Sequence, residues 1–143
     1  MSLDVSINFK EPRRANYYLE HPYIYSDLSE RDKMHFSEED HWTANITHNL
    51  GEMADHVPVK FGDLDTTLYK ACWRPEEIGA NTVADVLPMI LQGIHYMIDH
   101  RKELEQYNPE NGWGSYNGFM KFLLNYKQAL EDADPECEVE ANR

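Results

Sequence analysis

From Leu3 to Phe9 apolar and polar side chains alternate strictly. Leu3, Val5, Ile7 and Phe9 fall on one side and Asp4, Ser6 and Asn8 on the other, the period of a strand with one buried face. The pattern returns twice. In His41–Thr47 the residues Trp42, Ala44 and Ile46 share a face, and in 136–141 the residues Cys137, Val139 and Ala141 oppose Glu136, Glu138 and Glu140. The second segment is expected to pair antiparallel with the first, and the third to join the first from the C-terminal end, with its acidic side toward water.

Elsewhere the period lengthens to that of helices. Ile46, Leu50, Met53 and Val57 stand four, three and four residues apart, with Thr47 or Asn45 able to cap the start and Pro58 to end the helix. Val59–Leu64 reads as a loop, after which Asp65 can cap a short helix through Leu68, Ala71 and Cys72 that stops before Pro75. The longest helical pattern runs from Thr82 or Asp85 to Tyr107, with Val86, Leu87, Ile90, Leu91, Ile94 and Ile98 as its apolar stripe. Pro88 favours a late start or a kink in it. A last helix carries Tyr116, Phe119, Phe122, Leu123, Tyr126 and Leu130 and closes at Asp134-Pro135.

The expected fold is therefore α+β: a small antiparallel sheet of two N-terminal strands and one C-terminal strand, with about four helices packed on one face. The 143 residues suit a single domain, in which 10–40 is an insertion between the first two strands. That insertion holds an aromatic part (Tyr17, Tyr18, Tyr23, Ile24, Tyr25) and a charged part from Ser26 to Asp40, with an extended piece at Tyr23–Tyr25 and a helical turn within Ser29–His35. No internal repeat, signal peptide or apolar run of membrane-spanning length is present. Cys72 and Cys137 are read as free thiols of a reduced, cytoplasmic protein.

Charge narrows the functions. A formal net charge of -13 argues against direct binding to nucleic acid or to an anionic membrane. It fits a merely soluble surface, a divalent cation, or a basic site on another protein.

The stretch richest in candidate chemistry is Asn108-Pro109-Glu110-Asn111-Gly112-Trp113-Gly114-Ser115-Tyr116, a turn between the two longest helical patterns. Its two glycines permit unusual backbone angles, Ser115 can cap the next helix, and the N–H groups of the helix start and of Gly112 and Gly114 can face an acidic ligand group. Burial of Trp113 and Tyr116 as packing residues is the plainer outcome. A pocket is expected where this turn meets the helix start at His48-Asn49 and the helix end at Trp73-Arg74. Arg74 would fork onto a carboxylate or phosphate, Trp73 and Trp113 would stack on a flat ring beside Tyr116, and Asn49, Asn108 and Asn111 would bond its edge. Against this, Asn108 and Asn111 are ordinary turn residues, Arg74 can pair with Glu76 or Glu77, and Trp73 can be core.

The segments Asn45-Ile46-Thr47-His48-Asn49-Leu50-Gly51, Trp73-Arg74-Pro75-Glu76-Glu77 and Asn108 to Tyr116, in that order, resemble those of a group of small proteins from bacteriophages and bacteria. The resemblance spans Thr43 to the C-terminus. It implies a cytoplasmic, phage-borne protein in which the three segments meet, and implies no activity. Two features depart from it: 10–40 intervenes between strands that are briefly joined in the group, and Val59–Leu64 is inserted.

A weaker constellation is His48, Glu52 and His56, four residues apart, with His95, Asp99 and His100 as completing ligands for a divalent metal that would activate water. Charged residues at that spacing also line any solvated helix. No activated nucleophile is apparent: burial suits Cys72, and Gly112-Trp113-Gly114-Ser115 is not a nucleophile elbow. The leading expectation is a non-enzymatic binding protein without a cofactor, holding a small polar, nucleotide-like ligand, of which phage-borne sequestration of a host signal is one version. The alternatives are an acidic protein that occupies a basic host site as DNA mimics do, through 131–140 and 10–40, and a metal-dependent hydrolase. A homo-oligomer is compatible with each.

Overall fold

The computed structural model describes residues 2–8 and 41–143. Readings placed on the 10–40 insertion, including Tyr23–Tyr25 and Ser29–His35, lie outside the described residues. All three alternating segments are strands. β1 (Ser2–Asn8) is central and pairs antiparallel with β2 (His41–Thr47) on one side and β5 (Glu138–Asn142) on the other. The registers Leu3↔Ile46, Val5↔Ala44 and Ile7↔Trp42, with Ile7↔Val139 across the other edge, put the apolar members of all three strands on one face. Leu3, Val5 and Ile7 have no exposed surface there. A full burial of this kind is worth roughly 1.5–3 kcal/mol per side chain, so a one-residue slip of β1 would forfeit several such terms at once.

Five helices occur among the described residues: α1 (Gly51–Asp55), α2 (Leu68–Trp73), α3 (Val83–Asp99), α4 (Arg101–Glu105) and α5 (Tyr116–Asp132). α3 and α5 pack on each other, and α2, α3 and α5 reach the strands. The architecture is the expected α+β. α5 buries Tyr116, Phe119, Phe122, Leu123, Tyr126, Ala129 and Leu130 at helical spacing. α3 differs in detail from its expected stripe. Its buried line runs through Val83, Val86, Met89, Ile90, Gly93, Ile94 and Met97, while Ile98 is 61 % exposed. Gly93 marks the close approach of α3 to α2, where a Cβ would stand 2.7 Å from Leu68 Cδ1.

Other boundaries moved for identifiable reasons. Val59–Leu64 is not a loop but most of a hairpin, β3 (Pro58–Phe61) and β4 (Leu64–Thr67), joined at Phe61↔Leu64 through Gly62-Asp63. Gly62 has φ +60°, the sign that a tight two-residue turn needs at its first central position. Asp65 belongs to β4, and Thr67 caps α2 by accepting from Lys70 N–H. α3 begins at Val83 despite Pro88, which lies inside it. Thr82 and Asp85 form a reciprocal capping box, and Val83 and Ala84 donate to the carbonyls of Cys137 and Pro135, so the helix start is fastened from both sides. The pattern expected to run on to Tyr107 breaks at His100, whose backbone leaves the helical region before α4 starts. The helix expected from Ile46 begins later: β2 continues through Thr47, whose hydroxyl caps a 3-10 turn at His48–Leu50, and only then does α1 form.

Candidate functional site

The three segments expected to converge do adjoin, with the 47–51 corner between the other two. On one side, Trp73 Nε1–H donates to His48 Nδ1 at 2.9 Å. On the other, Asn49 Nδ2 donates to the Trp113 carbonyl at 3.3 Å. The β2 end, its Thr47 cap and the 3-10 turn set both side chains, so the corner acts as a bracket between α2 and the 108–115 loop.

The contacts do not assemble the expected stacking pair. Trp73 is 1 % exposed and lies in the core, stacked on Tyr69 with ring centroids 5.5 Å apart and set edge-on to Phe119 at 6.0 Å. Its faces are spent on packing, and the His48 bond serves its one polar atom. Arg74, half-buried at the end of α2, donates from Nε to Tyr69 Oη at 3.1 Å and from Nη1 to Glu77 at 2.7 Å. Lys70 bonds the same carboxylate at 2.7 Å, and these two cations pull the Glu77 carboxyl down to about 2. The Arg74 guanidinium is raised above its usual range chiefly by its bonds to Tyr69 and Glu77.

The loop is fixed by its own amides. Asn108 Oδ1 accepts from Tyr116 N–H at 2.8 Å, Asn111 Oδ1 accepts from Trp113 N–H at 2.9 Å, Gly112 N–H reaches the Pro109 carbonyl at 3.2 Å, and Ser115 caps α5 through Gly118 N–H at 3.0 Å. Of the N–H groups expected to face an acidic ligand, those of Gly112, Tyr116 and Gly118 therefore already have acceptors. Gly112 and Gly114 hold φ of 77° and 107°, and a Cβ on Gly114 would come within 2.9 Å of Thr47 Cγ2 and 3.0 Å of Leu50 Cγ. Both glycines are thus required by backbone geometry, Gly114 also by its contact with the corner. Tyr116 is buried, its hydroxyl donating to the Met97 carbonyl at 2.6 Å, with the Arg101 guanidinium 5.1 Å from its ring.

Trp113 is different. It is 71 % exposed, although the backbone on both sides of it is tied down. Beside the loop, His56 stacks on Tyr107 with centroids 4.0 Å apart. The two segments that meet here, 47–57 and 103–116, contain Glu52, Asp55, Glu103, Glu105 and Glu110; Glu105 is paired with Arg101, which also lies over the Tyr116 ring. The corner that carries the indole is therefore aromatic and has more acids than bases.

The histidine line fares differently again. His48 Nδ1 is occupied by Trp73, and His56 Nδ1–H donates to the Glu52 carbonyl at 2.8 Å, as His100 does to Tyr96. Among the described residues no three His, Cys, Asp or Glu side chains are grouped to hold a metal ion. Cys72 and Cys137 are buried free thiols, and burial pushes the Cys72 thiol well up, away from the nucleophilic thiolate.

A concavity, open to solvent and about 1110 Å³, lies away from these segments along β5, between Glu138, Glu140 and Asn142 on one side and Glu76 and Asn81 on the other. It carries the acidic alternation visible in the sequence, although Glu76 is paired with Arg143. No helix among the described residues is long and apolar enough to cross a membrane. No protein-family model, curated protein or solved structure matches this chain.

Proposed function

We propose that the chain is a non-enzymatic binding protein that engages a partner protein through Trp113, and that the surface it meets is basic. The observation that carries this reading is a large indole, 71 % exposed, on a loop whose backbone is fixed by Asn49, Asn108 and Asn111. Exposing an indole to water without covering it forgoes roughly 1.5–3 kcal/mol of burial. An aromatic anchor on a fixed backbone loses less entropy on docking than one on a loose loop, and tryptophan is enriched at the energetic centres of interfaces. The acidic residues of 47–57 and 103–116, set in a chain of net charge -13, supply the complement to lysine and arginine and would speed encounter. The earlier picture of a flat, nucleotide-like ligand now rests on the same indole alone, because Trp73 and Arg74 are engaged elsewhere.

The test uses wild-type chain and Trp113→Ala immobilised in parallel and exposed to lysate of the source organism. A basic protein retained by the wild type, released by moderate salt and not retained by the variant is the expected result. It should then bind as a purified protein with the same dependence on Trp113. Equal retention by both chains would overturn the assignment to the loop. Quenching of Trp113 emission by nucleotides, with no such protein captured, would favour the small-ligand reading instead.

A further inference from the structure

An indole N–H can donate a hydrogen bond and cannot accept one. The 2.9 Å contact from Trp73 Nε1 to His48 Nδ1 therefore exists only while Nδ1 carries no proton, which puts the single proton of the neutral ring on Nε2. Nε2 is buried and has no acceptor among the described residues. A second proton on this ring would set N–H against N–H at Nδ1 and would gain no bond at Nε2 in return. The charged groups on the elements around it do not make up the loss. Glu52 lies on α1 and Glu110 in the loop, Lys70 and Arg74 of α2 are committed to Glu77, and Arg143 is committed to Glu76; none of them bonds the His48 ring.

Packing decides which of the two rings yields. Trp73 is 1 % exposed, packed on Tyr69 and Phe119, and its carbonyl accepts from Arg143, so the indole cannot draw back. His48 is half-buried and belongs to the 3-10 turn His48–Leu50, which is capped where the Thr47 hydroxyl accepts from Asn49 N–H at 3.3 Å. The Asn49 side chain holds the Trp113 carbonyl, also at 3.3 Å. Both bonds are long for an N–H donor. Thr47 and Leu50 stand so close to Gly114 that a Cβ there would come within 2.9 Å and 3.0 Å of them. The loop is thus seated on a short turn whose link to α2 is the His48 ring.

We infer that proton uptake by His48 is a release signal for the Trp113 loop. The neutral ring latches the 47–51 corner to α2. The imidazolium leaves Trp73 and carries the turn, and with it Asn49, away from the Trp113 carbonyl. The Trp73 bond belongs to the neutral ring alone, so what it contributes is present above the range in which histidines take up a proton and is lost as the pH falls through that range. This gives the binding surface proposed above a regulator, and as regulation it rests on that reading; as a conformational device it does not.

NMR of the isotope-labelled full chain from about pH 8 to about pH 5, where histidines titrate, reads the latch with no partner present. The His48 ring Cε1–H, the Trp73 indole N–H and the Trp113 amide signals should shift with one midpoint while far-UV circular dichroism stays constant. His48→Asn sets an amide oxygen near the place of Nδ1 and takes up no proton, so its Trp73 and Trp113 signals should show no shift with that midpoint. If this variant does not fold, the three wild-type midpoints decide the question. The proposal is overturned by a His48 ring that takes up no proton in the range, by a Trp73 indole or Trp113 amide that does not follow it, by the same shifts surviving in His48→Asn, or by the whole fold melting in step. Retention of the captured basic protein should then fall between about pH 7.5 and about pH 5.5 for the wild type and not for His48→Asn, and equal retention by both would overturn the role in release. Failure to capture any protein would count against the binding surface itself and leave the NMR result to judge the latch.

Discussion

His48 and Trp113 show how one corner assigns opposite fates to two tryptophans. His48 gives the buried Trp73 indole its acceptor, and Asn49, one residue on, holds the carbonyl of the exposed Trp113. His48→Phe preserves a ring of similar shape but strands the Trp73 N–H in the core. An unmade bond to a buried donor costs about 1–3 kcal/mol; the substitution also removes the buried His48 Nε2, which has no partner among the described residues, so urea unfolding should report a loss toward the lower end of that range. Trp113→Ala should change stability by no more than about 0.5 kcal/mol, as exposed substitutions do. If His48→Phe proved as harmless as Trp113→Ala, the hydrogen bond would not be holding the core side of the corner. The sequence could not divide these tryptophans. Each has turn and helix-end neighbours, and only the packing of Tyr69 and Phe119 around one of them decides which is interior. The same holds for Arg74, whose guanidinium is drawn to Tyr69 and Glu77, neighbours on its own and the next turn, before any ligand could compete.

At the scale of elements, legibility tracked the clarity of the period. β1, β2 and β5 alternate over enough residues to fix face and partner, and α5 shows an unmixed stripe, so sheet order and layering could be read from the chain. The β3–β4 hairpin could not, because four-residue strands with one buried position between them show too little alternation; Gly62-Asp63 was the available signal. The start of α3 stood open between Thr82 and Asp85 because Pro88 argues locally for the later one; Thr82 is the cap, fastened from Pro135 and Cys137 far along the chain. Of the candidate site, the adjacency of its three segments was legible, but the absence of a stacking pair was not, since the burial of Trp73 is a tertiary outcome. The 108–115 loop is the element whose rigidity matters most to the proposed role. Gly114→Ala both strains a φ of 107° and drives a Cβ against Thr47 and Leu50, neither of which is free to leave. Strain and overpacking of this kind each cost about 1–3 kcal/mol. The variant should therefore lose stability, and the Trp113 amide, bonded to Asn111, should exchange its hydrogen faster than in the wild type. Unchanged exchange would mean that the Asn49 and Asn111 bonds hold the loop backbone without the close contact.

For the molecule as a whole, the excess of 26 acidic over 13 basic residues makes each well-placed cation matter. Glu77 is the clearest case, one carboxylate shared between Lys70 and Arg74 at the junction of α2 and the following 3-10 turn. Its carboxyl sits at about 2 in the fold against a usual 4.5, because the two hydrogen-bonded cations favour the ionised form. A carboxyl whose folded value is depressed contributes stability that is complete above its unfolded value. That contribution falls away as pH drops toward the folded one. The contribution of Glu77 should thus be whole above pH 4.5 and fade toward pH 2. The site is solvent-exposed, so the effect is modest and weakened by salt. Glu77→Gln isolates it from the titration of every other acid in the chain. In thermal unfolding at low, constant ionic strength, the wild type should melt higher than the variant at pH 6–7, and the gap should narrow below pH 4.5 and close near pH 2. A gap that persists undiminished at the acid end would assign the effect of the substitution to local packing, and a missing gap at neutral pH would mean that Lys70 and Arg74 hold their places without the shared carboxylate.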